Sequence, residues 1–168
     1  MTELKGVENL NSKMTALLNN GLGTDIDYII GTDFCFWSDS DSIQFSPFMM
    51  NDCDNYWRQF LKNRFKLNIE MRDMWIFSVL HEVGHYHTLD DVSDFNEKYS
   101  RAVKWVIEKP FVSSTRLASM IYFALPDEIV ATAWAVRFYK KHRLLCQRIN
   151  EQAFGYIREF LDENGVTE

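Results

Sequence analysis

Two histidines flank a glutamate in the short run His81-Glu82-Val83-Gly84-His85. On an α-helix, four residues correspond to about 400° of rotation and a rise of about 6 Å, so both imidazoles leave one face a turn apart. That placement lets both rings reach one zinc ion. Glu82 lies on the flank of this face, where it can accept a proton from a metal-bound water, and Gly84 leaves room for a substrate backbone or a neighbouring strand. The pattern predicts two metal ligands and a general base, as in HExxH metallopeptidases.

A catalytic zinc usually has three protein ligands, so a third residue must join the histidine pair. Glu128 is the favoured candidate. The same face of its predicted helix carries Ala131, Thr132 and Ala135, which are small or short and allow close packing against the histidine helix. Acidic residues are also common in the first turn of a helix simply because they interact well with its dipole.

Two other residues compete for the third position. Asp91 lies six residues after His85, the offset of a related zinc motif, but Thr88 stands where that motif has glycine. On a continuing helix, His87 would point away from the face of the histidine pair. The residues alone leave the third ligand open, with Glu128 favoured.

Most of the chain around the motif is predicted to be helical. Apolar residues at three- and four-residue steps predict a helix over 3–19, ended by the glycine at Gly21. The same periodicity and the positions of proline predict further helices over 52–65, 70–87, 93–109, about 114–124, a helix opened by Pro126, and 147–162.

The strand-like region lies before these helices. Short β-branched or aromatic runs occur at Asp27–Ile30, Phe34–Ser38 and Ile43–Phe45, separated by turn residues. They predict two or three short antiparallel strands within about 27–46. The sequence therefore predicts one domain over 1–168, of the α+β class, with a helix-rich, zincin-like fold and a small antiparallel sheet in its N-terminal third.

Composition limits the classes of function. The apolar fraction is 46%, with 13 Phe, 7 Tyr and 5 Trp, which is enough to fill a core. The net charge of −6 disfavours a nucleic-acid adaptor, because phosphate binding depends on Lys and Arg. Three scattered cysteines, no apolar leader and no run of membrane-spanning length predict a cytoplasmic protein with reduced thiols and no membrane partner.

The two motifs together resemble those of the ImmA/IrrE group of zinc metallopeptidases. About forty residues after the motif at 81–85 comes Glu128-x-x-Ala131-x-x-Trp134-Ala135. The second motif of that family is a glutamate followed by alanine at the third position, then by an aromatic residue and alanine at the sixth and seventh. This chain matches each position, and the resemblance covers roughly residues 27–140.

The resemblance implies a gluzincin-like protein with His81, His85 and Glu128 as zinc ligands and Glu82 as general base. Members are commonly encoded on phages and mobile elements, and the implied substrate is a DNA-binding repressor. Here it would be a separate chain, because no helix-turn-helix segment is fused. Many members carry Asn or Asp directly after the motif alanine. This chain has Thr132 there, which makes the support of a histidine ligand weaker or moves it elsewhere.

The expected activity is hydrolysis of peptide bonds in a protein substrate by a zinc metalloendopeptidase. A second donor for the oxyanion is expected from Tyr122, Arg137 or His142. The alternative is a catalytically inactive zincin-fold interaction protein with a structural or absent metal. The intact Glu82 argues against this alternative, since a structural metal site needs no general base.

A basic cluster near the predicted end of the Pro126 helix offers a docking surface for an acidic partner. Its members are Arg137, Lys140, Lys141, His142, Arg143 and Arg148. Cations near a helix C-terminus on a solvated face also explain this cluster, and this explanation is preferred.

Overall fold

The described part of the chain is helix-rich and carries one small sheet. In the computed structural model it comprises residues 5–47, 51–88 and 121–166, with no side chains described for 51–56. The elements in chain order are α1 (Val7–Leu22), β1 (Asp27–Ile30), β2 (Cys35–Trp37), β3 (Ser42–Phe45), α2 (Asn51–Phe65), a 3-10 turn (Met71–Asp73), α3 (74–88), α4 (Pro126–Lys141) and α5 (Arg143–Glu163). The predicted α+β class is confirmed. The predicted helix at 93–109 and most of that at 114–124 lie outside the described residues.

Helix α1 packs one apolar stripe against the core and against α5. Leu10, Met14 and Leu18 are almost completely buried. The prediction that Gly21 ends this helix was wrong. Gly21 lies inside α1, where a Cβ would come within 2.4 Å of the Ile149 side chain, so its lack of a side chain serves close helix packing. The helix ends at Gly23, whose φ of 70° is the left-handed conformation of a C-terminal glycine.

The sheet is mixed, so the prediction of an antiparallel sheet was wrong for one of its two pairings. The strand order is β1-β3-β2. Strand β2 runs antiparallel to β3, with Phe36 opposite Ile43, whereas β1 runs parallel to β3, with Tyr28 opposite Ile43. The chain reverses after β1 and again after β2, and β3 then lies between them, so β3 runs in the direction of β1. This order places β2 at an edge.

Helix α3 is fastened at its start to α4 and α5. The Asn150 side chain accepts a hydrogen bond from the Ile76 backbone N–H at 3.2 Å and donates one to the carbonyl oxygen of Arg72 at 2.8 Å. The buried carboxylate of Asp73 accepts hydrogen bonds from the Tyr139 hydroxyl and the Gln147 amide. These contacts satisfy polar groups at the start of the helix and fix the direction in which it carries the histidines.

Helices α3 and α4 cross at very short range where Gly84 meets Ala131. A Cβ at Gly84 would lie 2.4 Å from the backbone oxygen of Ala131. Ala131, Thr132 and Ala135 are buried, as the predicted small-residue face of α4 requires. Gly84 thus allows the backbone of α4 to approach α3 closely. The sequence had led us to expect a substrate backbone or a neighbouring strand at this position.

The boundary between α4 and α5 differs from the prediction. Helix α5 begins at Arg143, four residues before the predicted start at 147, and only His142 separates it from α4. No glycine or proline marks this break in the sequence, which is why apolar periodicity alone misplaced it. Among residues 5–47, 51–88 and 121–166, no helix is both long and apolar enough to cross a bilayer.

Candidate metal centre

The fold brings the three predicted metal ligands together. Helix α3 supplies His81 and His85, and the first turn of α4 supplies Glu128. One ligand atom from each lies within 4.8 Å of the other two. The Nε2 atom of His81 is 2.9 Å from Oε2 of Glu128, and the Nε2 atom of His85 is 3.5 Å from the same oxygen. The group can therefore hold a metal ion.

The chemistry of this donor set fits zinc. The two imidazoles present Nε2 atoms 3.2 Å apart, and both approach one carboxylate oxygen. His81 and Glu128 are only 3% and 4% exposed, and His85 is partly exposed towards a cavity. Two histidines and one carboxylate are a ligand set that catalytic zinc sites use, with a further position left for water or substrate.

Electrostatics keep the carboxylate of this group ionised. Burial alone would raise the pKa of Glu128, but hydrogen bonds and charge from His81 and His85 lower it well below its usual range. Burial alone would lower the pKa of His85, but the hydrogen bond to Glu128 and the negative charge of Glu128 have the larger effect and raise that pKa. Glu128 and His85 thus favour each other's charged forms. The ionised carboxylate is the form that binds a cation, whereas His85 must release its proton to do so.

Thr132 supports His81 from behind. Its hydroxyl oxygen lies 3.0 Å from Nδ1 of the ring. If Nε2 carries the lone pair that binds metal, the Nδ1–H group donates a hydrogen bond to this hydroxyl, which holds the orientation of the ring. The sequence left the support of a histidine ligand in doubt because Thr132 replaces Asn or Asp. The structure places that support on Thr132 itself.

Glu82 lies beside the ligand group and faces the same cavity. Its Oε2 accepts a hydrogen bond of 2.9 Å from the backbone N–H of Phe36 in the edge strand β2. Burial raises the pKa of Glu82, and the nearby His81 and His85 partly offset this effect. A carboxylate with a raised pKa is better matched to proton transfer near neutral pH than an exposed glutamate is.

The cavity beside these groups has a volume of about 260 Å³. It opens between β2, α3 and the start of α4. Its walls are formed by Phe34, Cys35, Phe36, Ser38, Glu82, His85, Thr88, Tyr122, Asp127 and Glu128. The base and two of the three candidate ligands therefore share one cavity with polar and aromatic side chains.

Of the three candidate oxyanion donors, the structure places only Tyr122 at the cavity. Burial, together with the negative charge of Glu128, raises the pKa of Tyr122, so its hydroxyl keeps its proton. Arg137 is exposed on α4, and His142 follows the end of that helix with its ring 4.7 Å from Phe138. The basic cluster that contains these two residues is not part of the cavity.

Of the two competing candidates for the third ligand, the structure describes only His87. His87 is exposed and its ring stacks on Trp134 at 4.8 Å, away from the ligand group, as predicted. Asp91 lies outside the described residues.

Two features of the site were not predicted from the sequence. Trp57 of α2 sets its ring edge-on to His81, with the ring centres 5.2 Å apart, and so packs directly against a ligand. The backbone N–H of Phe36 holds Glu82. Aromatic periodicity in α2 predicts that Trp57 is buried, but neither contact leaves a mark in local spacing, because each joins segments far apart in the chain.

The comparisons with known proteins leave the site to be interpreted from its own geometry. The resemblance to the ImmA/IrrE group and the zincin-like fold stay predictions that rest on the two motifs. No family model, no curated protein and no solved structure matches the chain.

Proposed function

We propose that the chain is a zinc-dependent metallopeptidase that hydrolyses peptide bonds in a protein substrate. One observation carries the proposal: His85 and Glu128 of the three-residue ligand group lie at the same cavity as the carboxylate of Glu82. A metal that only stabilises the fold needs no base beside it. Ligands and base together are the equipment of metal-assisted hydrolysis.

The histidine pair and Glu128 would hold the ion. When bound, zinc supplies Lewis acidity, which polarises a carbonyl group and activates water. Thr132 holds the orientation in which the His81 ring presents Nε2, and Trp57 packs against the side of the same ring. The buried setting of these residues excludes bulk water from the ligand side of the cavity.

Glu82 performs the proton transfers in this proposal. Its carboxylate accepts a proton from the attacking water and passes it to the nitrogen of the leaving amine. The hydrogen bond from Phe36 limits the directions that the side chain can adopt, so the base is held ready at the cavity. Burial raises its pKa, which makes the carboxylate a stronger proton acceptor than an exposed glutamate.

The edge strand β2 supports a peptide as the substrate. Strand β2 pairs with β3 on one side, and within the described part of the chain no strand pairs with its other side. The Phe36 N–H on this outer side reaches the site, since it bonds Glu82. An extended peptide can bind along such an edge by adding a strand, which brings its backbone to the cavity.

The class of protein substrate follows from the resemblance of the motifs alone. On that basis we propose a transcriptional repressor on a separate chain, encoded with the peptidase on a mobile element and cleaved in the cytoplasm.

The test is peptide cleavage by the purified protein. Zinc-loaded protein is incubated with a mixture of internally quenched peptides and with casein, and products are identified by mass spectrometry. We expect cleavage that a zinc chelator abolishes and added zinc restores, because the reaction needs the bound ion. Zinc-loaded protein that cleaves neither substrate would favour the catalytically inactive interaction protein.

A further inference from the structure

A groove with a volume of about 610 Å³ lies on the surface between α1 and α5. None of the residues that line it lines the cavity beside Glu82. Its apolar floor and charged ends are formed by Ala16, Leu17, Leu145, Ile149, Lys13 and Arg148. We propose that this α1–α5 groove binds one acidic, amphipathic helix of a partner protein. The inference does not depend on the proposed peptidase function.

The two helices that form the groove suit a helical occupant. They run antiparallel, since Lys13 of α1 pairs with Glu159 of α5, whereas Gly21 further along α1 lies against Ile149. Two antiparallel helices in contact leave a groove between their outward faces, and a third helix fills such a groove in helical bundles. Ala16 is exposed and small, so the third helix can approach closely.

The floor of the groove is apolar and only partly covered. Leu17 and Leu145 are half-buried, and Ile149 is buried between them and Gly21. Covering the remaining apolar surface of the two leucines is favourable, because it removes that surface from water. A helix does this with apolar side chains three or four residues apart, as in other complexes in which a helix lies in a groove. A nucleic-acid backbone would leave the floor uncovered.

The charges that line the groove have one sign. Lys13 and Arg148 are the cations, and no carboxylate of the described residues lines the groove, although the whole chain has 24 acidic and 18 basic side chains. The Lys13 ammonium pairs with Glu159 at 3.0 Å and lies 5.2 Å from the centre of the Tyr156 ring, which holds it at one end. Arg148 is exposed. A partner with acidic side chains therefore complements the groove.

The positions of the two cations define the pattern that the partner should carry. Tyr156, which lies beneath Lys13, follows Arg148 by eight residues on α5, which is about 12 Å along the helix axis. The partner helix should therefore have two acidic residues seven or eight positions apart, with apolar residues between them. Of the basic cluster at the end of α4, only Arg148 lines the groove. The packing of α1 on α5 is what brings Lys13 to it.

The test is a selection of displayed helical peptides of about sixteen residues, or some four turns, on purified wild type. Peptides that also bind Ala16→Glu are removed, because a glutamate at this exposed position fills the groove and repels an acidic helix. Urea unfolding checks that Ala16→Glu is folded. We expect the remaining peptides to carry the two acidic residues on either side of apolar ones.

The selected peptides are then synthesised, and their Kd is measured by fluorescence anisotropy. Arg148→Glu should weaken binding by about threefold to tenfold, because it replaces an attraction at the rim with a repulsion. The matched control is Arg158→Glu, which makes the same change at an exposed position of α5 that does not line the groove. Its Kd should equal that of wild type.

Three outcomes would overturn the inference. The first is a selection in which no peptide distinguishes wild type from Ala16→Glu, or in which the selected peptides lack the acidic pair. The second is equal weakening by Arg148→Glu and Arg158→Glu, since the peptides would then respond only to net charge. The third is sedimentation of wild type as a dimer that Ala16→Glu dissociates, which would assign the groove to a second copy of the chain. Each leaves the peptidase proposal to its own test.

Discussion

Replacing Glu82 with glutamine is expected to slow peptide hydrolysis by about two to four orders of magnitude without loss of the metal. The amide has the size of the carboxylate, and its oxygen can still accept the hydrogen bond from the Phe36 N–H. It cannot accept a proton from water. The measurement is kcat on a cleaved peptide, with zinc content determined on the same preparations.

Asp127→Asn is the matched control for that experiment. Asp127 lines the same cavity and loses a carboxylate charge in the same way, but it is not among the three grouped ligand residues. We expect this variant to keep most of the wild-type kcat. Full activity in Glu82→Gln would remove Glu82 from the mechanism, and a similar loss in both variants would show that the charge of the cavity, rather than a base, is what matters.

Gly84→Ala is expected to damage both the fold and the metal centre. The added Cβ would lie 2.4 Å from the backbone oxygen of Ala131, and a backbone atom cannot rotate aside as a side chain can. The free energy of unfolding should fall by about 1–3 kcal/mol, and by more if α3 and α4 cannot separate smoothly. Separation would also move His81 away from Glu128, so zinc affinity should fall as well.

Gly155→Ala is the matched control, in which the same chemical change is expected to have the opposite effect on stability. Gly155 is exposed within α5, and no atom lies within 4 Å of a Cβ placed there. This substitution should stabilise the protein by about 0.5–1 kcal/mol, because alanine is the better helix former. Urea unfolding and zinc titration of both variants give the comparison. Equal stability of the two variants would contradict the close contact of α3 with α4.

The sequence was most informative where a site depends on spacing within one helix. His81 and His85 share a face of α3 whatever the rest of the fold does, because helix geometry alone places them a turn apart. Glu128 required a tertiary argument, and the small residues beside it supplied one. They indicated a helix that packs closely on its neighbour, and Ala131 does meet Gly84 in this way.

Features that join distant segments were harder to predict. Local turn residues located the three strands. Their order depends on which strand edges pair: in the sheet β3 lies between β1 and β2, although β2 comes between β1 and β3 in the sequence. The support of His81 by Thr132 depends on how α4 is rotated against α3, because the two residues belong to different helices. Gly21 and Gly23 look alike in sequence. In the structure Gly21 packs against Ile149, whereas Gly23 has the left-handed φ that ends α1.

The most direct test of the metal centre is the zinc content of purified wild type beside Glu128→Gln, Asp127→Asn and Asp91→Asn. We predict about one zinc per chain in wild type, Asp127→Asn and Asp91→Asn, because each keeps all three ligands. Glu128→Gln should lose most of its zinc, since the carboxylate that approaches both histidines is gone. Zinc retained by Glu128→Gln and lost by Asp91→Asn would contradict the account and assign the third ligand to Asp91.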